Sequence, residues 1–194
     1  MVSGSEGREG PASRRSLLLS LGVGLAAVLG AAGCGNAQRE PGVRLNRRTR
    51  GAGADAHTLN QLLAAEYYAI AAYTAATPLL TGTPARVARR FLGHEVLHAD
   101  RLISLIQRAG GQARQAPASH DLGHPTTASE IMRLLLKAER AQLTAYLEAA
   151  PTLSPGSLKA MAASIFATQA QHAAVWRLQL GQMPAPTALV TGHE

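Results

Sequence analysis

The stretch FLGHEVLHADRL, residues 91–102, indicates the fold of this 194-residue chain most clearly. Its apolar residues recur at steps of three and four, which predicts an amphipathic helix. Glu95 and His98 lie one turn apart on the inward side of that helix, where apolar side chains are expected. Because a buried carboxylate is costly unless a partner compensates its charge, this pair predicts a polar site inside a helical core.

Four such helices are predicted, over residues 55–76, 83–110, 127–150 and 154–181. Each is bounded by a helix start signal and a stop signal. Thr83 and Ser154 each precede a proline, which suits the first position of a helix. Thr127 and Glu130 have the spacing of a capping box. Alanine and leucine are abundant and strand patterns are nearly absent, so we predict an all-α fold.

The first and third helices carry one pattern, a glutamate followed by a tyrosine after seven residues and a proline after twelve. Its residues are Glu66, Tyr73 and Pro78 in the first copy and Glu139, Tyr146 and Pro151 in the second. The following helices extend the repeat, with Glu95 and His98 in one and Gln169 and His172 in the other. We therefore expect two antiparallel helical hairpins of one design.

The segment between the hairpins, residues 110–127, is far longer than a tight turn requires. At up to about 3.3 Å per residue it can exceed the length of a helix of this bundle. A crossover along the whole bundle is therefore sterically allowed.

Polar side chains interrupt all four inward faces near the middle of each helix. They are Glu66, Glu95, His98, Glu139, Gln142, Gln169 and His172. Like charges that are buried together raise one another's pKa, so several carboxylates at one height need compensation. Divalent metal ions provide it, and the Glu-x-x-His spacing directs both ligands toward one centre.

One glutamate from each of two helices, combined with Glu-x-x-His from the other two, resembles the dimetal-carboxylate bundles of the ferritin-like superfamily. The chain looks most like its small exported bacterial members. The matching residues are Glu66, Glu95, His98, Glu139 and His172, and the resemblance covers residues 55 to about 180. It implies a four-helix bundle of two antiparallel hairpins joined by a long crossover, with one or two ions of iron or manganese. Tyr73 and Tyr146 would either hydrogen-bond the ligands or pack in the core.

Gln169 departs from this pattern, which has glutamate at that position. A neutral amide is a weak ligand and leaves three carboxylates for two divalent ions. We therefore expect Glu66, Glu95 and His98 to form the better metal site. Glu139 would bridge, and His172 would hold a second ion with little help from Gln169. His94 is expected to point to the flank of its helix.

Residues 1–34 read as a signal peptide. Ser13 and twin arginines precede the apolar stretch 17–33, which resembles a twin-arginine export signal. Cys34 follows small residues and resembles the lipid-attachment site of bacterial lipoproteins, with a plain secreted protein as the alternative. We assign 35–53 to a flexible basic tether, 54–181 to the bundle and 182–194 to a C-terminal tail. The expected location is the outer face of the cytoplasmic membrane.

The formal net charge of +7 does not indicate nucleic-acid binding, because residues 54–194 carry eleven basic and nine acidic side chains. The expected partners are metal ions and, through the lipid anchor, the membrane; pairing of two copies through an exposed helix face stays open. The sequence thus predicts an exported metal-binding bundle, with ferroxidase-like or peroxide-scavenging activity by analogy. The alternative is a non-catalytic structural bundle of the cell envelope with a degenerate metal site.

Overall fold

The computed structural model describes the backbone of residues 42–194 and the side chains of residues 51–194. The predicted signal peptide and lipid attachment at Cys34 lie outside these residues. The described part contains four helices and no strand, which confirms the all-α prediction. The helices are α1 (Gly42–Ala76), α2 (Gly82–Arg108), α3 (Ala128–Ala149) and α4 (Gly156–Gln179). A short 3₁₀ turn, Thr77–Leu79, follows α1.

Three helix ends follow local signals in the sequence. At the start of α3, the Thr127 hydroxyl accepts the Glu130 N–H at 3.2 Å, and the Glu130 carboxylate accepts the Thr127 N–H at 2.9 Å. This is the predicted capping box. Gly110 and Gly181 follow α2 and α4 with φ of 75° and 70°, a conformation that glycine adopts without strain. They allow the next backbone N–H to satisfy a carbonyl of the last helical turn.

Three helix starts differ from the prediction. α1 begins at Gly42 and therefore covers most of the segment assigned to a flexible tether. The Arg, Leu and Ala residues after Pro41 favour a helix, and Gly51 and Gly53 weaken it by only about 1 kcal/mol each. α2 and α4 begin at Gly82 and Gly156.

Thr83 and Ser154 do not cap these helices as predicted. Thr83 lies within the first turn of α2 and accepts a hydrogen bond from Arg86 at 2.8 Å. The backbone N–H of Ser154 donates to the Asp55 carboxylate at 2.8 Å instead, which ties the start of the fourth helix to α1.

The four helices form a bundle of two hairpins, α1–α2 and α3–α4, and α1 also packs closely against α3. Hydrogen bonds join Tyr73 to Glu139 and Glu66 to Tyr146, so α1 and α3 run in opposite directions. The long crossover that joins α2 to α3 packs along α1. Asn60 anchors its beginning through the Gln112 carbonyl at 2.9 Å, and Leu122 packs against the apolar cluster near the other end.

The core consists of two apolar clusters, one on each side of the polar residues at mid-helix. One contains Tyr73, Phe91 and Trp176, and the other contains Leu59 and Leu102. The C-terminal residues dock on the second hairpin, where Arg140 donates to the Gly192 carbonyl at 3.1 Å. Among the described residues, no helix has the length and hydropathy that a membrane span requires.

Candidate metal centre

Each helix contributes polar side chains to the centre of the bundle, between the two apolar clusters. Glu66 of α1, Glu95 of α2 and Glu139 of α3 are all 0% exposed. His172 of α4 is 2% exposed, and the His98 side chain of α2 is 14% exposed. The structure thus brings together the five residues that the sequence proposed as ligands.

These five residues form two overlapping groups, each with ligand atoms within 4.8 Å of one another. The Glu66 group contains Glu66, Glu95 and His98, and the Glu139 group contains Glu95, Glu139 and His172. Glu95 belongs to both groups, whereas the sequence suggested that Glu139 would bridge. The reason is geometric. Oε2 of Glu95 lies 3.8 Å from Nδ1 of His98, and its Oε1 lies 3.2 Å from Nδ1 of His172.

In the Glu66 group both oxygens of Glu66 and Oε2 of Glu95 already accept hydrogen bonds, and only Oε1 of Glu95, which faces His172, does not. Tyr146 donates to one oxygen of Glu66, and the amide of Gln142 donates to the other at 2.8 Å. The same amide donates to Oε2 of Glu95 at 2.7 Å. A second amide, that of Gln169, donates to this Glu95 oxygen at 3.0 Å. The carboxylates of this group therefore accept hydrogen bonds from neutral donors of the protein itself.

The Glu139 group is different, because three of its ligand atoms have no hydrogen-bond partner. They are Oε1 of Glu95, Oε2 of Glu139 and Nδ1 of His172. Nδ1 of His172 lies 3.2 Å from Glu95 and 3.3 Å from Glu139, yet it is not aligned with either as a hydrogen bond. Unpartnered buried acceptors are costly, and a cation compensates them. Carboxylate oxygen and imidazole nitrogen also suit iron and manganese, so the donor set fits the predicted ion.

The two tyrosines of the repeat contact the ligands. The Tyr73 hydroxyl donates to Glu139, and the Tyr146 hydroxyl donates to Glu66. Each tyrosine therefore contacts the glutamate of the other repeat rather than that of its own helix. The Trp176 indole donates to the Tyr73 oxygen at 2.6 Å. Hydrogen bonds thus connect Glu139 to Tyr73 and Tyr73 to Trp176.

Sequence reasoning placed His94 on the flank of α2, but the structure places it against the centre. Nδ1 of His94 lies 2.9 Å from Nε2 of His172, and the two rings stack with centroids 5.1 Å apart. Phe91 stacks on His172 at 3.7 Å. A signal existed, because His94 lies three residues after Phe91 and four before His98, on one stripe of the helix.

Gln142 is a second residue whose role the sequence did not reveal. Its inward position was predicted, but no role in the centre was assigned to it. The equivalent position of the first repeat, three residues after the glutamate, is Ala69. The repeat therefore gave no signal for an amide that joins Glu66 to Glu95.

Burial and mutual repulsion set the charges of the two outer carboxylates. Burial, reinforced by the charge of Glu95, raises the pKa of Glu66 well above its usual range. Burial also raises the pKa of Glu139 to about 7, although its contact with His172 opposes the shift. Both outer carboxyl groups therefore hold protons more tightly than ordinary glutamates do.

The inner carboxylate and its imidazole neighbour are shifted towards their charged forms. Burial alone would raise the pKa of Glu95, but contacts with His172 and His98 lower it below its usual range. Burial alone would lower the pKa of His172, but Glu139 and Glu95 raise it to about 9. A cation that binds here must displace these protons, so its affinity should rise with pH.

A family model described as a ferritin-like domain matches residues 54–182 of the chain. No curated protein matches the chain. A solved structure of a conserved hypothetical protein from Mycobacterium tuberculosis is similar, with 22% identity and a TM-score of 0.64, over 71% of this chain and 97% of that one. A ferritin-like, diiron-carboxylate protein from Bacillus anthracis str. Ames shares 20% identity with a TM-score of 0.59, over 67% of this chain and 97% of that one. These two likenesses show the fold.

Proposed function

We propose, because this chain belongs to the ferritin-like domain family, that its buried centre binds iron or manganese as a divalent ion. One observation carries the proposal. Glu95, Glu139 and His172 come from three helices and leave three buried ligand atoms without a partner. Such atoms are rare in folded proteins and mark a ligand or an ion. The B. anthracis relative of the same fold is described as a diiron-carboxylate protein, which supports the same class of ligand.

We further propose ferroxidase-like or peroxide-scavenging activity. A bound iron or manganese ion would supply the redox chemistry with oxygen or peroxide. The chain itself excludes water from the buried carboxylates and holds Glu139 in place through the Tyr73 hydroxyl. Tyr73 and Trp176, joined by a 2.6 Å hydrogen bond, provide oxidisable side chains next to the centre.

Metal content tests the binding proposal. Protein stripped of metal and incubated without oxygen with Fe(II) or Mn(II) should retain a stoichiometric ion after desalting, as measured by elemental analysis. Glu95→Gln should lose the ion, because Glu95 contributes to both groups. Glu148→Gln is the matched control, since Glu148 is exposed on α3 and lies outside both groups. Equal metal content in the two variants would contradict the proposal.

Consumption of oxygen or peroxide by the iron-loaded protein, with excess Fe(II) added as the electron donor, tests the catalytic proposal separately. Turnover should exceed that of free Fe(II), and Tyr73→Phe should slow it without removing the ion. A loaded protein that leaves both oxidants unchanged would contradict catalysis and leave metal binding intact.

A structural bundle without a metal is the second candidate. It is favoured by the Glu66 group, in which both oxygens of Glu66 and Oε2 of Glu95 accept hydrogen bonds from the protein. In that case the polar residues would only fix the register of the helices. The same metal measurement separates the two candidates, because a structural bundle would retain no ion.

We also propose export with a lipid anchor at Cys34, supported by the twin arginines and the apolar stretch that follows them. The full chain should fractionate with membranes, and Cys34→Ala should release it into the soluble exported fraction. Replacement of Arg14 and Arg15 by lysine should keep it in the cytoplasm. A wild-type chain found in the soluble exported fraction would support plain secretion instead.

A further inference from the structure

The two groups of the centre differ in what already occupies the space between their ligands. In the Glu66 group, the Gln142 amide nitrogen lies 2.8 Å from Glu66 and 2.7 Å from Glu95. It therefore takes the place between two carboxylates in which a cation would otherwise lie. In the Glu139 group, Nδ1 of His172 lies between Glu95 and Glu139 at 3.2 and 3.3 Å but is aligned as a hydrogen bond with neither, and an oxygen of each carboxylate is without a partner.

The Gln169 amide closes the Glu66 group from the other side. Its nitrogen lies 3.0 Å from Oε2 of Glu95 and 3.4 Å from Nδ1 of His98. In this orientation the nitrogen donates to the Glu95 carboxylate, which only accepts hydrogen bonds, whereas an amide oxygen turned toward Glu95 would meet another acceptor. Two neutral donors thus satisfy the carboxylates and cover the imidazole of this group.

The imidazole of the Glu139 group is oriented for a metal. Nε2 of His172 lies 2.9 Å from Nδ1 of His94 and can donate its proton to it. This leaves Nδ1 of His172, which faces Glu95 and Glu139, as the ligand atom. Thr168 stands at the position equivalent to His94 in the repeat, so His98 has no such partner there.

We propose that the centre is mononuclear, with the ion held by Glu95, Glu139 and His172 and with the amides of Gln142 and Gln169 in place of a second ion beside Glu66. This inference rests on the proposed metal binding and narrows it. It reverses the expectation from the sequence that Glu66, Glu95 and His98 form the better site. Two glutamines thereby convert a dinuclear pattern into a single-ion site.

Titration of the metal-free chain with Mn(II) tests the number of ions, with bound metal measured by elemental analysis and by electron paramagnetic resonance. One ion per chain is expected, with the spectrum of an isolated Mn(II) rather than of a coupled pair. Glu139→Gln should weaken binding at least about 100-fold, because it removes a direct ligand. Glu66→Gln should change it less than about threefold. Circular dichroism and thermal melting of both variants would show that they fold.

A second experiment tests whether one substitution allows the centre to bind a second ion. Gln169→Glu places a fourth carboxylate between Glu95 and His98 and should allow a second ion to bind. Gln171→Glu adds the same charge at an exposed position of the same helix and should leave one ion. Two ions in the wild-type chain, equal losses of affinity in Glu66→Gln and Glu139→Gln, or equal numbers of ions in Gln169→Glu and Gln171→Glu would each overturn this inference. No bound ion in the wild-type chain would overturn the proposed function itself.

Discussion

The Glu66 group and the Glu139 group occupy equivalent places in one internal repeat, yet only the second leaves carboxylate and imidazole atoms without partners. The difference comes from three pairs of positions. Ala69, Glu95 and His94 of the first repeat are matched by Gln142, Gln169 and Thr168 of the second. Helices that repeat one ligand pattern can thus present the same ligand types in two different electrostatic settings.

An internal amide competes with a metal ion for the same carboxylates. An amide donor is always present and needs no ion from solution, so it stabilises the metal-free fold. A cation offers a stronger interaction, but it must first displace that donor and any protons. Glu66 thus keeps its protein donors without metal, although its pKa is also raised, whereas the Glu139 group has unpartnered atoms that a proton or an ion can satisfy.

The largest effect expected from this difference is a pH-dependent stability of the metal-free protein. The pKa of Glu139 is raised from 4.5 to about 7, and that of His172 is raised from 6.5 to about 9. A group with a raised folded pKa stabilises the fold below its unfolded pKa and loses that stability as pH rises. Urea unfolding should therefore show a fall in the free energy of unfolding between pH 5 and pH 9, on the order of 3 kcal/mol for each of the two groups.

Saturating metal should remove this fall, because the bound ion replaces the displaced protons. Glu95 acts in the opposite sense only below pH 4.5, since its pKa is lowered. A metal-free protein whose stability stays constant or rises from pH 5 to pH 9 would show that Glu139 and His172 are not the proton-dependent pair of this centre.

Most of the fold follows from periodicity and capping. The four inward stripes, the capping box at Thr127 and the glycines after α2 and α4 are local signals, and the structure has a helix for each stripe. The start of α1 was missed because helix propensity after Pro41 outweighed a composition typical of linkers. The predicted caps at Thr83 and Ser154 are wrong: Thr83 lies inside the first turn of α2, where its hydroxyl accepts from Arg86, and the Ser154 N–H donates to the distant Asp55 before α4 begins at Gly156.

The centre was less predictable than the fold. Spacing identified the ligand residues, because Glu-x-x-His fixes which side chains share a helix face. It did not reveal which carboxylate is shared, since that depends on how far each helix enters the centre. The roles of Gln142 and His94 arise from contacts across the bundle, 76 residues apart for Glu66 and Gln142 and 78 for His94 and His172. No spacing within one helix encodes such a pair.

A smaller difference in unfolding free energy is expected between variants of the two tyrosines that contact the groups. Tyr73 donates to Glu139 and accepts from Trp176, so Tyr73→Phe leaves two buried groups without partners. Tyr146→Phe removes one donor from Glu66, which retains the Gln142 amide on its other oxygen. Metal-free Tyr73→Phe should therefore lose about 2 kcal/mol and Tyr146→Phe about 1 kcal/mol of unfolding free energy. Equal losses in urea unfolding would contradict the difference between the two groups.

The smallest expected effect concerns His94 and its counterpart Thr168. His94 orients a ligand of the Glu139 group, so His94→Leu should weaken Mn(II) binding about tenfold, the lower end for residues that position a ligand. His94→Gln should restore part of the affinity, because its amide oxygen can accept the proton of His172 Nε2. A role in packing alone would give the opposite order, since leucine fills apolar space at least as well as glutamine. Thr168→Ala should leave affinity unchanged, because the Thr168 hydroxyl donates to the Ser164 carbonyl of its own helix and contacts neither imidazole.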